Sequence, residues 1–403
     1  MNPFIVDLKP YPFERLRQLL ASVTPIDKAP ISLSIGEPQH ASPEAVIASY
    51  HDNAHHLSHY PKTLGTQALR DAIATWLIRR YHLSATNRSS LADKHIVPLN
   101  GTREGLFAFV QAMVNPSDKP TVVMPNPGYQ IYEGATLLAG GKPYYLNCTQ
   151  GTDFLPDFNH VPASVWQQCS IVFICSPGNP TGAIMPYSQL ASLIALADTY
   201  DFIIASDECY SEIYTTDAPS GLLETCARLG RHDFDRCVVF HSLSKRSNLP
   251  GLRSGFVAGD AGILSTFLRY RTYHGCAMSE ATQVTSVSAW QDETHVHNNR
   301  QRYAAKRDAF LDTLAAVMNI PPLAQHNSTP FYLWLPTPID DTVFCQRLYQ
   351  QQHLTVLPGQ YMARENNNIN PGKGYVRLAL VAEESTCQEA ADRLSQYLKE
   401  NHG

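Results

Sequence analysis

Short apolar runs alternate with helix-length amphipathic stretches through the middle of this chain. Ile96–Leu99, Thr121–Met124, Ser170–Cys175, Phe202–Ala205 and Cys237–Phe240 read as buried strands. Gly105 to Val114 and Ser188 to Tyr200 lie between them as helices. Strands that are apolar throughout are those covered on both faces, so the alternation predicts an α/β unit with a mostly parallel sheet flanked by helices. In such sheets ligands bind at the loops leaving the carboxyl ends of the strands. After Ser279 the pattern changes to a long charged helical stretch reaching about Val317. Phe331–Leu335 and Tyr375–Leu380 follow as apolar segments, with helices over Asp341–Gln352 and Glu383–Glu400. The expected division is an N-terminal arm over 1–45 packed with the smaller unit, a large unit over 46–285, and a small α+β unit over 286–403.

Composition narrows the class without naming a reaction. The chain has 403 residues, 44% hydrophobic and 17% charged, enough for one large core and a smaller one. A net charge of −5 argues against a nucleic-acid partner. No apolar run approaches a membrane span, and Met1 to Pro10 lacks the basic start and apolar core of a signal peptide, so the expectation is a cytoplasmic protein. Nine cysteines without a Cys-x-x-Cys pair fit reduced thiols rather than a disulfide framework or a zinc site. His51, His55 and His59 share a helical spacing, but that helix would run into Pro61 and no His-Glu-x-x-His occurs, so no metal is expected.

The run His241 to Gly255 carries the chemistry. Lys245 stands between two hydroxyls and ahead of Arg253, in a turn built on Pro250-Gly251. A lysine amine there can form a Schiff base with an aldehyde, while Ser242, Ser244 and Arg253 can hold a phosphate. Pyridoxal 5′-phosphate carries both groups. A solvated surface lysine is the plain alternative. Ser242 to Lys245 also fits a Ser-x-x-Lys nucleophile, but the Ser-Asp-Asn and Lys-Thr-Gly that such hydrolases require do not occur.

Other strand ends supply what the cofactor would need. Asp207, directly after Phe202–Ala205, is a carboxylate for the pyridine nitrogen, with Tyr210 one helical turn away to reach the ring's phenolic oxygen. Ser176 to Gly182 presents Asn179 in a proline-flanked turn as a donor to that oxygen. Asn100 to Leu106 opens a helix with a glycine turn, so the N–H groups of Gly101, Thr102 and Arg103 can face an anion. Tyr129 offers an aromatic face for the ring. Singly, these residues are ordinary caps, turns and loop aromatics; together they favour the cofactor over a surface lysine.

With these motifs in place, the chain resembles the class I/II, fold type I, pyridoxal-phosphate-dependent aminotransferases from Ser34–Pro38 to Val376–Leu380. The resemblance implies Lys245 as the Schiff-base lysine, Asp207 at the pyridinium nitrogen, and Tyr210 with Asn179 at the phenolic oxygen. It implies Tyr129 against the ring, and Gly101, Thr102, Ser242 and Arg253 at the phosphate. Tyr60 matches a tyrosine that reaches the phosphate of a neighbouring subunit, which implies a homodimer with shared sites. Arg377 matches the arginine that grips the substrate carboxylate, and Gly36 the small residue that lets the arm close over substrate. The stretches Leu99–Phe107, Leu357–Arg364 and Asn370–Arg377 resemble a bacterial branch that works on N-succinyl-L,L-diaminopimelate in lysine biosynthesis. That substrate has two distal carboxylates, for which Arg103, Arg271 and Arg364 are candidates. Broad-specificity aspartate, alanine or aromatic aminotransferases, a C–S lyase and a cofactor-binding transcription regulator share the fold. The regulator needs a DNA-binding module ahead of a pattern that here begins near Ser34.

Overall fold

The computed structural model describes residues 2–84, 88–325 and 328–402. In chain order its strands are β1 (Ile31–Ser32), β2 (Ile96–Leu99), β3 (Thr121–Asn126), β4 (Lys142–Asn147), β5 (Cys169–Cys175) and β6 (Ile203–Asp207). They continue as β7 (Cys237–Ser242), β8 (Gly255–Gly259), β9 (Tyr332–Pro336), β10 (Leu354–Thr355), β11 (Leu357–Pro358) and β12 (Tyr375–Ala379). One sheet has the order β2-β8-β7-β6-β5-β3-β4. Strands β7, β6, β5, β3 and β4 run parallel, while β8 runs against both its neighbours, β7 and β2.

Alternation along the buried strands explains how helices cover both faces. On β5, Val172 and Ile174 join a core that includes Trp76 and Leu77 from the helix Gln67–Tyr81 and Leu193 from Tyr187–Tyr200. Ile171 and Phe173 point the other way, into a core with Leu106 and Phe109 from Thr102–Met113 and Phe267 from Ala261–His274. A third core gathers Leu333 and Leu335 of β9 and Leu378 of β12 against the helices Thr294–Ala315, Asp341–Gln352 and Glu384–His402.

Residues of the N-terminal segment join this C-terminal layer through main-chain bonds. Strand β1 pairs in parallel with β10, Leu33 N donates to Thr355 O at 2.8 Å, and Ala379 N donates to Leu33 O at 2.8 Å. Strand β12 lies antiparallel between β11 and β9, with Arg377 opposite Leu357 and Trp334. The sheet is thus mixed and flanked by helices, as expected. Among the described residues no helix is long and apolar enough to cross a membrane.

Two features depart from the sequence reading. The stretch from Ser279 to Val317 is two helices, Glu280–Gln291 and Thr294–Ala315, separated where Asp292 turns extended and its Oδ1 accepts from Thr294 N at 2.8 Å. Strands β4 and β8 join the large sheet outside the runs that read as strands. β4 is a half-exposed edge carrying Lys142 and Pro143, and β8 is mostly small residues bounded by glycines.

Candidate active site

The carboxyl ends of β3, β5, β6 and β7 open on one cleft of about 570 Å³, closed on the other side by the N-terminal segment and by β12. Lys245 sits in the short helix Leu243–Arg246 that leaves β7, where Ser242 Oγ caps the turn by accepting from Ser244 N at 3.1 Å. Its Nζ donates to Gly36 O at 2.5 Å. Burial lowers the amine's pKa to about 8, with Cys209 opposing and Arg377 adding to the fall.

Asp207, the last residue of β6, is 4% exposed. It accepts from Tyr132 Oη at 2.9 Å and from Cys209 N at 3.2 Å. Burial pushes its carboxyl up, and the two donors restrain that rise. Asn179, in the turn after β5, accepts at Oδ1 from Arg377 Nη1 at 2.8 Å, while Arg377 Nη2 donates to Ser34 O at 2.5 Å. Arg377 Nε is buried with no partner. An arginine that lines the cleft and keeps a buried, unpaired donor calls for an anionic ligand.

The far end of the cleft is built for a second anion. Gly101 holds φ of 81° ahead of the helix Thr102–Met113, and a Cβ there would meet Arg253 Nη2 at 2.2 Å. Only glycine lets that guanidinium lie against the turn. Arg253 donates to Pro250 O at 2.9 Å, and Thr102, Ser242, Ser244 and Arg253 all line the cleft. On its wall Arg103 Nε donates to Tyr129 Oη at 2.8 Å. Gly36 packs so tightly that a Cβ would lie 2.3 Å from Tyr332 Oη.

Not every expected residue arrives here. Tyr60 is fully exposed and outside the cleft, so within one chain it reaches no site. Arg271 and Arg364 lie away from the cleft lining and are ion-paired, Arg271 with Glu104 at 2.7 Å and Arg364 with Glu133 through two bonds. Of the three arginines considered for distal carboxylates, Arg103 alone lines the cleft. Tyr210 lies in a turn, not a helix, and its hydroxyl pairs with Tyr332 Oη at 2.9 Å. Tyr132, Tyr332 and Cys209, which touch Asp207 and Tyr210, escaped the sequence reading. For Tyr132 a signal existed: it stands in the first turn of the helix that begins at Gln130, just after Tyr129.

Pyridoxal 5′-phosphate presents an aldehyde, a ring nitrogen, a phenolic oxygen and a phosphate, and this cleft offers an amine, a buried carboxylate, an amide with a tyrosine, and a glycine cradle beside an arginine. The residues fit the group. A mixed α/β sheet bearing them at its carboxyl edge is the architecture of fold type I pyridoxal-phosphate-dependent enzymes. Within that class, residues 28–394 match the family model for aminotransferase class I and II, and the chain belongs to this family.

Relatives agree on the reaction type. The LL-diaminopimelate aminotransferases of Moorella thermoacetica and Desulforudis audaxviator are 31% and 30% identical, covering 98% and 97% of this chain and 97% and 96% of their own. A crystal structure of an aminotransferase from Neisseria meningitidis Z2491 is 45% identical, covering 98% of this chain and 100% of its own, with a TM-score of 0.92. Aminotransferase AspB from Helicobacter pylori 26695 is 36% identical, covering 98% and 99%, with a TM-score of 0.88.

Proposed function

We propose that this pyridoxal-phosphate-dependent aminotransferase acts on N-succinyl-L,L-diaminopimelate, with glutamate and 2-oxoglutarate as its amino-group pair, in lysine and diaminopimelate biosynthesis. When bound, the cofactor supplies an electron sink for the pair left as the substrate Cα loses its proton. Lys245 would carry the cofactor, be released by the incoming amine, and then take the proton from the substrate Cα as base and deliver it as acid to the cofactor's former aldehyde carbon. A pKa of about 8 suits a group that must do both. Asp207 holds a proton at the ring nitrogen, and the cationic N–H offsets the burial that otherwise raises the carboxyl.

Tyr210 and Asn179 serve the phenolic oxygen, and Tyr129 lies against the ring. The N–H groups of Gly101, Thr102 and Arg103, with Ser242, Ser244 and Arg253, hold the phosphate. Arg377 takes the substrate α-carboxylate through its guanidinium fork. Gly36 admits the arm beside the substrate, and Tyr60 of one copy completes the phosphate site of a second in a homodimer. Each amino-acid substrate uses the same groups in turn, which gives ping-pong kinetics.

The observation favouring the succinylated substrate is Arg103 on the cleft wall. Succinylation replaces the distal ammonium by a neutral amide and adds a carboxylate, so the far end becomes wholly anionic and complements a cation. Unsuccinylated LL-diaminopimelate is the second reading, favoured by the names of the relatives and by Glu37 in the same lining, which would suit an ammonium. The test is glutamate formation from 2-oxoglutarate with N-succinyl-L,L-diaminopimelate, LL-diaminopimelate, aspartate and alanine in parallel. Highest kcat/KM with the succinylated donor is expected; a strong preference for aspartate overturns the assignment.

A further inference from the structure

A buried polar path joins the N-terminal segment to the main chain of Lys245 and has no place in the chemistry above. Lys306, on the helix Thr294–Ala315, is buried; its Nζ donates to Ala382 O at 2.8 Å and lies 2.8 Å from His40 Nε2. It also sits 4.4 Å from the centre of the Tyr303 ring. An ammonium has no lone pair, so His40 Nε2 must accept, and the proton of the neutral imidazole is left on Nδ1. Nδ1 then donates to Asn299 Oδ1 at 3.0 Å. Asn299 Oδ1 also accepts from Asn248 Nδ2 at 2.8 Å, which fixes the amide's orientation. Its Nδ2 therefore points the other way, 3.3 Å from Lys245 O and 3.4 Å from Arg246 O.

One proton arrangement serves every bond from Lys306 through His40 and Asn299 to Lys245 O, and its charge environment agrees. Burial, then the neighbouring Lys306, holds His40 below its ordinary value, against its bond to Asn299 and the charge of Glu383, and with Arg302. Burial lowers Lys306 to about 8, opposed by Cys387, Glu383 and Glu384 and aided by Arg302. The imidazole is thus neutral at pH 7, as the path requires.

The same short segment touches Lys245 twice. Gly36 O receives its Nζ, and His40 reaches its carbonyl through Asn299. That segment is itself held to the C-terminal layer by Leu33 and by Gln39 N donating to Val381 O at 3.3 Å. We propose that His40, Asn299 and Lys306 are positioning residues that set the main chain of Lys245 according to the seating of the N-terminal segment, so that the amine addresses its target only when that segment is in place. The proposal rests on Lys245 being the cofactor-bearing lysine.

His40→Leu and His40→Asn in the holoenzyme test it. Leucine keeps bulk without a donor, whereas the asparagine amide offers an N–H close to where Nδ1 stood. The readouts are the pH midpoint of the visible band of the Lys245-bound cofactor, and kcat and KM for the amino donor. His40→Leu should shift the midpoint and lower kcat about tenfold, short of the ~10²-fold that a 1 Å misplacement can cost, with KM changed less than about twofold. His40→Asn should recover most of the loss. Equal losses in both with an unmoved midpoint, or no loss in either, overturn the proposal. If His40→Leu does not fold, Asn299→Ser, too short to reach Lys245 O, must shift the midpoint, and an unmoved midpoint there is equally decisive. Lys245→Ala separates the premise: a visible band that survives in that variant sinks the lysine assignment, whereas failure of the positioning path alone leaves the band dependent on Lys245.

Discussion

Replacing Arg377 by lysine keeps one positive charge in the cleft and removes the planar fork. In the free protein Arg377 spends Nη1 on Asn179 and Nη2 on Ser34 O, with Nε open. A bound α-carboxylate needs two of these donors at a fixed spacing; a lysine amine offers it one bond as a point charge. A hydrogen bond to a charged group contributes ~1.5–3 kcal/mol, and each ~1.4 kcal/mol is a factor of ten, so losing one lowers kcat/KM by about 10- to 150-fold. The upper half of that range is expected, because lysine must also leave Asn179 Oδ1 or Ser34 O without its donor. Every amino donor carries the same α-carboxylate, so glutamate, alanine and N-succinyl-L,L-diaminopimelate should lose by one common factor in single-turnover half-reactions. The visible band of the bound cofactor should remain, since Arg377 does not hold it. A loss confined to one donor, or no loss, would refute the assignment of Arg377 to the α-carboxylate.

Three further outcomes follow from the same geometry. Tyr132→Phe removes one of the donors that restrain Asp207 and leaves those of Cys209, so the carboxyl rises further and the acid limb of the kcat/KM profile should move to higher pH; an unmoved limb contradicts the role given to Asp207. Gly36→Ala drives a Cβ to 2.3 Å from Tyr332 Oη and should cost about 1–3 kcal/mol, read as a lower urea midpoint. Tyr332→Phe alongside it should recover part of that loss, and its failure to do so would locate the strain elsewhere. In the apoprotein, capture of pyridoxal 5′-phosphate requires the neutral Lys245 amine, so its rate should rise with pH and level off above about 8. The fold disfavours the charged amine, so this group's contribution to stability rises with pH between about 8 and the ordinary lysine value. A capture rate still climbing steeply above pH 9, about one unit past that midpoint, would show an unperturbed amine.

The loops that make the site were legible because a parallel sheet sends its carboxyl ends to one edge, and Asp207, Asn179, Tyr129 and Lys245 each follow an apolar run. The direction of β8 was not legible, since a short run buried on both faces, such as Phe256–Ala258, reads the same whichever way the strand runs. Partners in space escaped for a different reason. Tyr132 and Tyr332 matter through Asp207 and Tyr210, which lie 75 and 122 positions away in the chain. Arg271 and Arg364 looked available as isolated cations; Glu104 and Glu133, across the fold, occupy them. The positioning path through His40 had no local pattern at all, because its members lie on three separate segments.

The reversed strand has one more consequence. Because β8 turns back beside β7, with Ser242 paired to Gly255 and Leu243 N bonded to Ser254 O at 3.1 Å, the connection between them is fastened at both ends. Lys245 and Arg253, assigned to the aldehyde carbon and the phosphate of the cofactor, both stand on that fastened connection. It acts as a gauge: the span from the lysine main chain to the arginine is set inside one closed loop, and the N-terminal segment adjusts only how the amine is aimed within it. A cofactor analogue with one extra methylene between ring and phosphate would be rejected by length alone.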